Sequence, residues 1–441
     1  AIPNTLLQML LRGANAVGYT NYPENVVRRF VQLSANAGID LFRIFDSLNW
    51  LPNMRTAIDE VRKVNKIAEA SICYTGNIED TSRTKYSLKY YVDLAKKLEK
   101  AGAHILAIKD MAGLLRPYSA RILVKALREE TDMHIHLHSH DTSGIQGATL
   151  LFAVEAGVDM IDSAMSGLSG MTSHPNHESI VASLQFHKRN TGIDLKKMVE
   201  YGHYWEEVRK NYGAFESDMR SGTASVYDHE MPGGQYTNLR SQAEAMGLGD
   251  RWQELIIAYQ DANELFGDII KVTPSSKVVG DMALFMLTND LHRDNFYEKA
   301  GALSFPESVK GMLKGQLGKP YGGFPKKISE TILKNEATQD DDTKIVLPPV
   351  DLEKEKEKLR KKFGVRKSGF TITDYHVMSN IMYPQVTADF LEHKKNYGDT
   401  YLLPTPVFLY GLKLDEEIVI HLEKGKTLYI VLLSISEPGI D

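Results

Sequence analysis

Cysteine is nearly missing from this sequence: Cys73 is the only one among 441 residues. An intrachain disulfide framework is thereby excluded, and a reducing compartment, the cytoplasm or an organelle matrix, is the expectation. No apolar run approaches the roughly 20 residues that a membrane-spanning helix needs, and the opening residues lack the charged-then-apolar pattern of a secretory signal. Charge of one sign is not in excess either. Lys and Arg number 52 against 57 Asp and Glu, a formal net charge of -5, so nothing in the balance favours nucleic acid or an anionic membrane as a partner. A Gly-rich phosphate turn is also lacking after the first apolar run, where only Gly13-Ala14-Asn15 stands. That absence argues against a dinucleotide-binding sheet.

What is present is a repeated βα theme over residues 1–195. Six short apolar runs, Thr5–Leu11, Asp40–Phe45, Glu69–Tyr74, His104–Ile108, Met133–Ser139 and Val158–Ala164, alternate with amphipathic helical stretches, the pattern of a parallel sheet. Ala-Gly pairs at 37–38, 101–102 and 156–157 precede strands where helix C-caps belong. Polar residues gather just past the strand ends: Arg12, Asp46, Thr75, Lys109 with Asp110, and His140 with Asp141. In a (β/α)8 TIM barrel that edge carries the active site. The expected fold is therefore an α/β barrel with six of its eight strands, strands 3–8, and its N-terminal strands missing.

Two further regions follow. Residues 196–335 read as helical, with Lys196–Asn211, Gln235–Met246, Trp252–Phe266 and Lys277–Asn289 as helices and Thr223–Gly234 as a loop. Residues 336–441 read as a linker and a small α+β module. Its linker carries Asp340-Asp341-Asp342 and leads to a charged helix, and two alternating segments flank Glu423-Lys424-Gly425-Lys426 as a hairpin. The stretch Met282–Met286 reads as helical core rather than as a cofactor box, and Cys73 as a buried small residue.

The densest cluster of possible ligands is His136-Leu137-His138-Ser139-His140-Asp141. Residues i and i+2 of a strand share a face, so His138 and His140 can offer two imidazoles to one ion, while His136 lies a step deeper. Lys109 ends an apolar strand. It is either a buried amine that takes up CO2 to become a carbamate ligand or a cation paired with Asp110 or Asp141. Asp46, Asp110 and Asp141 are expected to orient the His and Lys side chains.

Several runs then resemble the carboxyltransferase domain of the pyruvate carboxylase family. They are Leu10–Tyr19, Phe42–Asn49, Ile108–Gly113, His138–Gly144 and Val272–Asp281, with Tyr397–Asp399, Leu403–Thr405 and Phe408–Leu412 beyond them. The resemblance implies CO2 transfer from carboxybiotin to pyruvate, giving oxaloacetate, within a helical funnel over the barrel mouth. It further implies a divalent metal, Zn or Mn, held by carbamylated Lys109, His138 and His140. Arg12 and Tyr19 would then bind pyruvate, Thr273 would shuttle the proton, and Ser276 and Lys277 would rim the biotin pocket. Residues 336–441 would open an allosteric and tetramerisation domain of a homotetramer. ATP, Mg and the biotin carrier would belong to domains absent here, and the fourth ligand, an aspartate of the first strand of this same barrel in the family, has no counterpart in the sequence. The sequence thus reads as an internal fragment. Its rivals are an oxaloacetate decarboxylase or transcarboxylase subunit, a metal-dependent Claisen-type lyase or synthase, and a piece serving assembly alone.

Overall fold

The computed structural model describes residues 2–216, 219–334, 336, 344–364 and 371–435. The acidic run Asp340-Asp341-Asp342 lies outside the described residues. The chain divides into two compact units, residues 1–205 with 217–350, and residues 206–216 with 351–441.

The first unit is built on a six-stranded, all-parallel sheet. Its strands β1 (Gln8–Leu11), β2 (Leu41–Ile44), β3 (Ile67–Cys73), β4 (Ile105–Asp110), β5 (His134–Ser139) and β6 (Met160–Ile161) lie side by side in chain order. Each connection is a helix, as parallel neighbours require. The helices Glu24–Asn36, Leu51–Lys63, Leu88–Lys100, Pro117–Glu130 and Gln146–Ala156 bury one apolar stripe each. This is the strand succession of a (β/α) barrel. Gly38, Gly102 and Gly157 all take left-handed backbone (φ 109°, 91° and 104°), so each Ala-Gly pair does end a helix before the next strand.

Register decides which side chains meet. Arg43 pairs with Glu69, and Cys73, Lys109 and His138 stand level across β3, β4 and β5. Because alternate residues share a face, Arg43, Glu69, Lys109, His136 and His138 all face one side of the sheet. They form a lower level of Arg43, Glu69 and His136 and an upper level of Lys109 and His138.

The helices Gly233–Ala245, Trp252–Leu265 and Ser275–Thr288 form a second core in the same unit, centred on Leu255, Tyr259, Phe266, Met282, Met286 and Phe296. The segment expected to be a loop, Thr223–Gly234, contains one short helix, Val226–His229. In the second unit, Leu352–Phe363, Asp374–Met382 and Pro384–Tyr397 pack around Leu359, Ile372, Val377 and Leu391. An antiparallel hairpin of β7 (Glu417–Glu423) and β8 (Lys426–Val431) completes it. No helix among the described residues is long and apolar enough to cross a membrane.

Phe266 is fully buried in the helical core, so Phe266→Ala is expected to cost about 3–5 kcal/mol. Phe186 is 97% exposed, and its replacement by Ala should stay within about 0.5 kcal/mol. Urea unfolding of the two variants checks the contrast.

Candidate metal and carboxyl-transfer site

The lower level of the sheet interior holds four charged groups. Arg43 forms ion pairs with Glu69 and Asp162. His136 sits between the same two carboxylates, Nδ1 at 2.7 Å from Glu69 and Nε2 at 2.8 Å from Asp162. Carboxylates only accept, so both ring nitrogens carry hydrogen and His136 is an imidazolium. Burial works against that charge, but the two carboxylates outweigh it and raise the His136 pKa. The same balance governs Asp162: burial opposes its ionisation, yet bonds from His136 and His138 and the charge of Arg43 hold it far below the carboxylate range. Two positive and two negative charges thus form a closed neutral group. His136 has no lone pair left to give a metal.

One level up, His138 places Nδ1 2.6 Å from Asp162. Arg43 Nη1 lies 2.8 Å from the same nitrogen and can only donate, but the carboxylate contact is the shorter, and it assigns hydrogen to Nδ1 and leaves a lone pair on Nε2. Nε2 lies 3.4 Å from Lys109 Nζ. His140 donates from Nδ1 to the Thr172 carbonyl at 2.7 Å, which frees its Nε2 likewise. A third imidazole, His174, bonds through Nδ1 to the Ser139 carbonyl at 2.7 Å, and its ring centroid lies 4.6 Å from that of His138 and 4.9 Å from that of His140. Burial, and then the charge of Lys109, push the His138 pKa well down. Burial, and then His174, bring His140 to about 3. Both rings are neutral donors at physiological pH.

Lys109 is buried at the end of β4, with Nζ 5.0 Å from the centre of the Phe45 ring. Burial lowers its pKa to about 8, with the positive charges of Arg43 and Arg12 adding to the effect. About a tenth of the amine is then neutral at pH 7, the form that reacts with CO2. The ion pair with Asp110 or Asp141 is not formed. Asp110 turns back to the amides of Leu114 and Leu115 at 2.8 and 3.0 Å and accepts from Ser139 Oγ at 2.8 Å. Asp141 accepts from the Gln146 amide at 3.0 Å. Asp46 does the same with the amides of Leu48 and Trp50, each at 2.9 Å. These three aspartates therefore cap their own loops and do not orient the His and Lys side chains. Unpaired loop N–H groups next to a strand end are the nearest donors, and they claim the carboxylates first. Gly113 closes the Asp110 turn with φ 73°, where a β-carbon would lie 2.4 Å from the His140 carbonyl oxygen.

Arg12 is held by the carbonyls of Val17 and Gly18, the latter at 3.1 Å, and lies 5.5 Å from the centre of the half-exposed Tyr19 ring. Its Nε is buried and has no hydrogen-bond partner among the described residues. Thr273 precedes the helix Ser275–Thr288, whose first residue anchors to the loop after β2 through Ser275 Oγ and the Ser47 carbonyl at 3.2 Å. The Ser276 hydroxyl is buried with no hydrogen-bond partner among the described residues, and Lys277 pairs with Asp281 at 2.8 Å. The structure therefore brings Lys109, His138 and His140 together and sets Arg12 beside Tyr19. No hydrogen bond joins Thr273, Ser276 or Lys277 to the histidines among the described residues. Cys73 is buried, and burial pushes its thiol up to about 12, an inert state.

Among the described residues no three His, Cys, Asp or Glu side chains are grouped as a metal site would group them. The third donor at this place is a lysine. Two neutral imidazoles with their Nε2 lone pairs free, beside a buried amine of lowered pKa, fit a divalent ion once the amine is a carbamate.

Residues 31–204 match the HMGL-like family, and residues 226–431 match a conserved carboxylase domain. The chain is 50% identical over 440 residues to pyruvate carboxylase of Bacillus subtilis, covering 100% of this chain and 38% of that protein. The carboxyl transferase domain of Rhizobium etli pyruvate carboxylase is 52% identical with a TM-score of 0.94, covering 99% of this chain and 72% of that one. The chain belongs to the pyruvate carboxylase family, in its carboxyltransferase domain. The Rhizobium domain solved with pyruvate and biocytin is equally similar, with 52% identity, a TM-score of 0.93, and coverage of 97% of this chain and 72% of that one. Biotin and metal are the family's cofactors, and the chain spans well under half the length of the Bacillus carboxylase that it matches.

Replacing Asp162 by Asn removes the carboxylate charge and one of the two oxygens that accept from His136 and His138, so the His138 ring is no longer held as firmly. Metal affinity is expected to fall roughly 10- to 100-fold, as read by chelator competition. Stability gives a second test. The folded-state pKa of His136 lies above its ordinary 6.5, so its contribution is complete below pH 6.5 and is lost as pH rises through the folded-state value. The gap in melting temperature between wild type and His136→Gln should thus be widest below pH 6.5 and narrow on the alkaline side.

Proposed function

We propose that this region transfers CO2 from carboxybiotin to pyruvate and forms oxaloacetate. The observation that carries the reading is the group of Lys109, His138 and His140 on one face of the parallel sheet, in a chain closely similar to a domain solved with pyruvate and biocytin. A rival Claisen-type use of the barrel accounts for the match at 31–204 but not for the carboxylase match at 226–431.

In this reading carbamylated Lys109, His138 and His140 hold the metal, and the mixed oxygen and imidazole donor set suits Zn or Mn. Bound there, the ion supplies Lewis-acid stabilisation of negative charge developing on the substrate oxygen. Arg12 binds the pyruvate carboxylate, because a planar guanidinium can engage both oxygens. Tyr19 packs beside it. Thr273 carries the proton: as the N–CO2 bond of carboxybiotin breaks, the ring nitrogen takes the threonine hydroxyl proton and the hydroxyl takes one from the pyruvate methyl group. The enolate carbon then bonds to the released CO2. A threonine is too weak an acid to act as a free base and serves only as this relay. Ser276 and Lys277 rim the biotin pocket. Water must be kept out, since it would protonate the enolate.

The remaining parts of the reading concern the longer protein: a biotin carrier domain that visits this site, ATP and Mg consumed elsewhere, assembly as a homotetramer, and a cytoplasmic or mitochondrial-matrix setting. The domain assignment is residues 1–195 as barrel, 196–335 as funnel, and 336–441 as linker and start of the allosteric and tetramerisation domain.

Biotin-stimulated oxaloacetate decarboxylation by the holoenzyme tests the proposal, and a metal-loaded holoenzyme without that activity would sink it. Thr273→Ala should abolish carboxyl transfer with metal content unchanged. Lys109→Arg, which cannot form the carbamate, should lose both the mass of one CO2 in intact-protein spectra and most of the bound metal.

A further inference from the structure

A second buried ionic group lies outside the metal site. Glu230 is 7% exposed and follows the short helix Val226–His229 in left-handed backbone (φ 51°), which residues with a β-carbon seldom adopt. Its carboxylate accepts from Lys271 Nζ at 3.0 Å, from Thr75 Oγ1 at 3.1 Å and from Arg83. Arg83 also pairs with Asp268 at 2.8 Å. Lys85 Nζ and Tyr86 Oη, each at 3.0 Å, donate to the Asp268 carbonyl. Segment 267–271 is thus bound from one side by residues just past β3. Residues 272–275 are bound from the other side, through Ser275 and the loop after β2.

Between these anchors stands Thr273, partly exposed, whose side chain makes no hydrogen bond among the described residues. With no such bond to fix it, its hydroxyl is placed through the backbone between the anchors, and Lys271, held by Glu230, stands two residues before it in the chain. Buried ion groups are weak sources of stability, and apolar replacements often serve as well. Geometric specification accounts better for a charge cluster at this position.

We propose that Glu230, through Lys271 and Arg83, is a positioning residue that aims the Thr273 hydroxyl into the barrel mouth. The inference rests on the carboxyltransferase reading above. Proton relay tolerates little misplacement, since a shift of about 1 Å can cost 100-fold in rate.

The test uses the holoenzyme and its Glu230→Gln and Arg83→Lys variants. It reads kcat, KM for pyruvate, metal content and melting temperature. In Glu230→Gln, kcat should fall about 10- to 100-fold, with KM for pyruvate and metal content within about twofold of wild type. Arg83→Lys should show the same split at smaller size. A folded Glu230→Gln with wild-type kcat would overturn the proposal, and so would kcat, KM and metal content failing together. If Glu230→Gln does not fold, Arg83→Lys decides by the same criteria. A wild-type holoenzyme without carboxyl transfer would overturn the parent reading and this one with it, which distinguishes the two failures.

Discussion

Four charges removed from water inside a parallel sheet must neutralise one another, and that requirement shapes everything above them. Arg43 from β2, Glu69 from β3, His136 from β5 and Asp162 just beyond β6 each satisfy two of the others. Removing any one leaves the remaining three with a net buried charge, at a cost of about 3–5 kcal/mol. The group also has a chemical output. Asp162 has a lone pair left over for His138, so the balance that makes the interior tolerable also selects which nitrogen of that imidazole is free.

The upper level works by the opposite rule. Lys109 has no carboxylate within ion-pair distance among the described residues, and its burial is not compensated. A lysine held that way gives up its proton easily and presents a nucleophilic amine. The two levels, a paired one and an unpaired one, sit on the same strands, so burial serves structure in one and reactivity in the other.

Much of this was legible in the sequence. All six strands, the helix-ending glycines and the shared face of His138 and His140 follow from apolar runs, Ala-Gly pairs and a period of two. Lys109 stood out because a lysine ending an apolar strand is costly. Asp162 and Glu69 were not legible as partners of the histidines. They lie 24 and 67 residues from His138 and His136, and only register brings them close. Aspartates 46, 110 and 141 drew attention instead because they adjoin the motifs, but a carboxylate flanked by unpaired loop amides is taken up locally. His174 sits in a loop with no periodicity to mark it. Glu230 lies in a stretch read as featureless loop, and nothing in its neighbours announces that it is buried.

The strand register also acts as a ruler. His136 and His138 are two residues apart, so their positions along β5 differ by about 6–7 Å, and Asp162 reaches both rings. Because the lower group sums to zero, it presents a dipole upward and no net charge. Arg12 binds only carbonyl oxygens, and no carboxylate pairs with it among the described residues. Its charge is left uncancelled at the C-terminal edge of the sheet. A guanidinium left that way has a planar fork ready for both oxygens of a small carboxylate, the one kind of group that would cancel its charge.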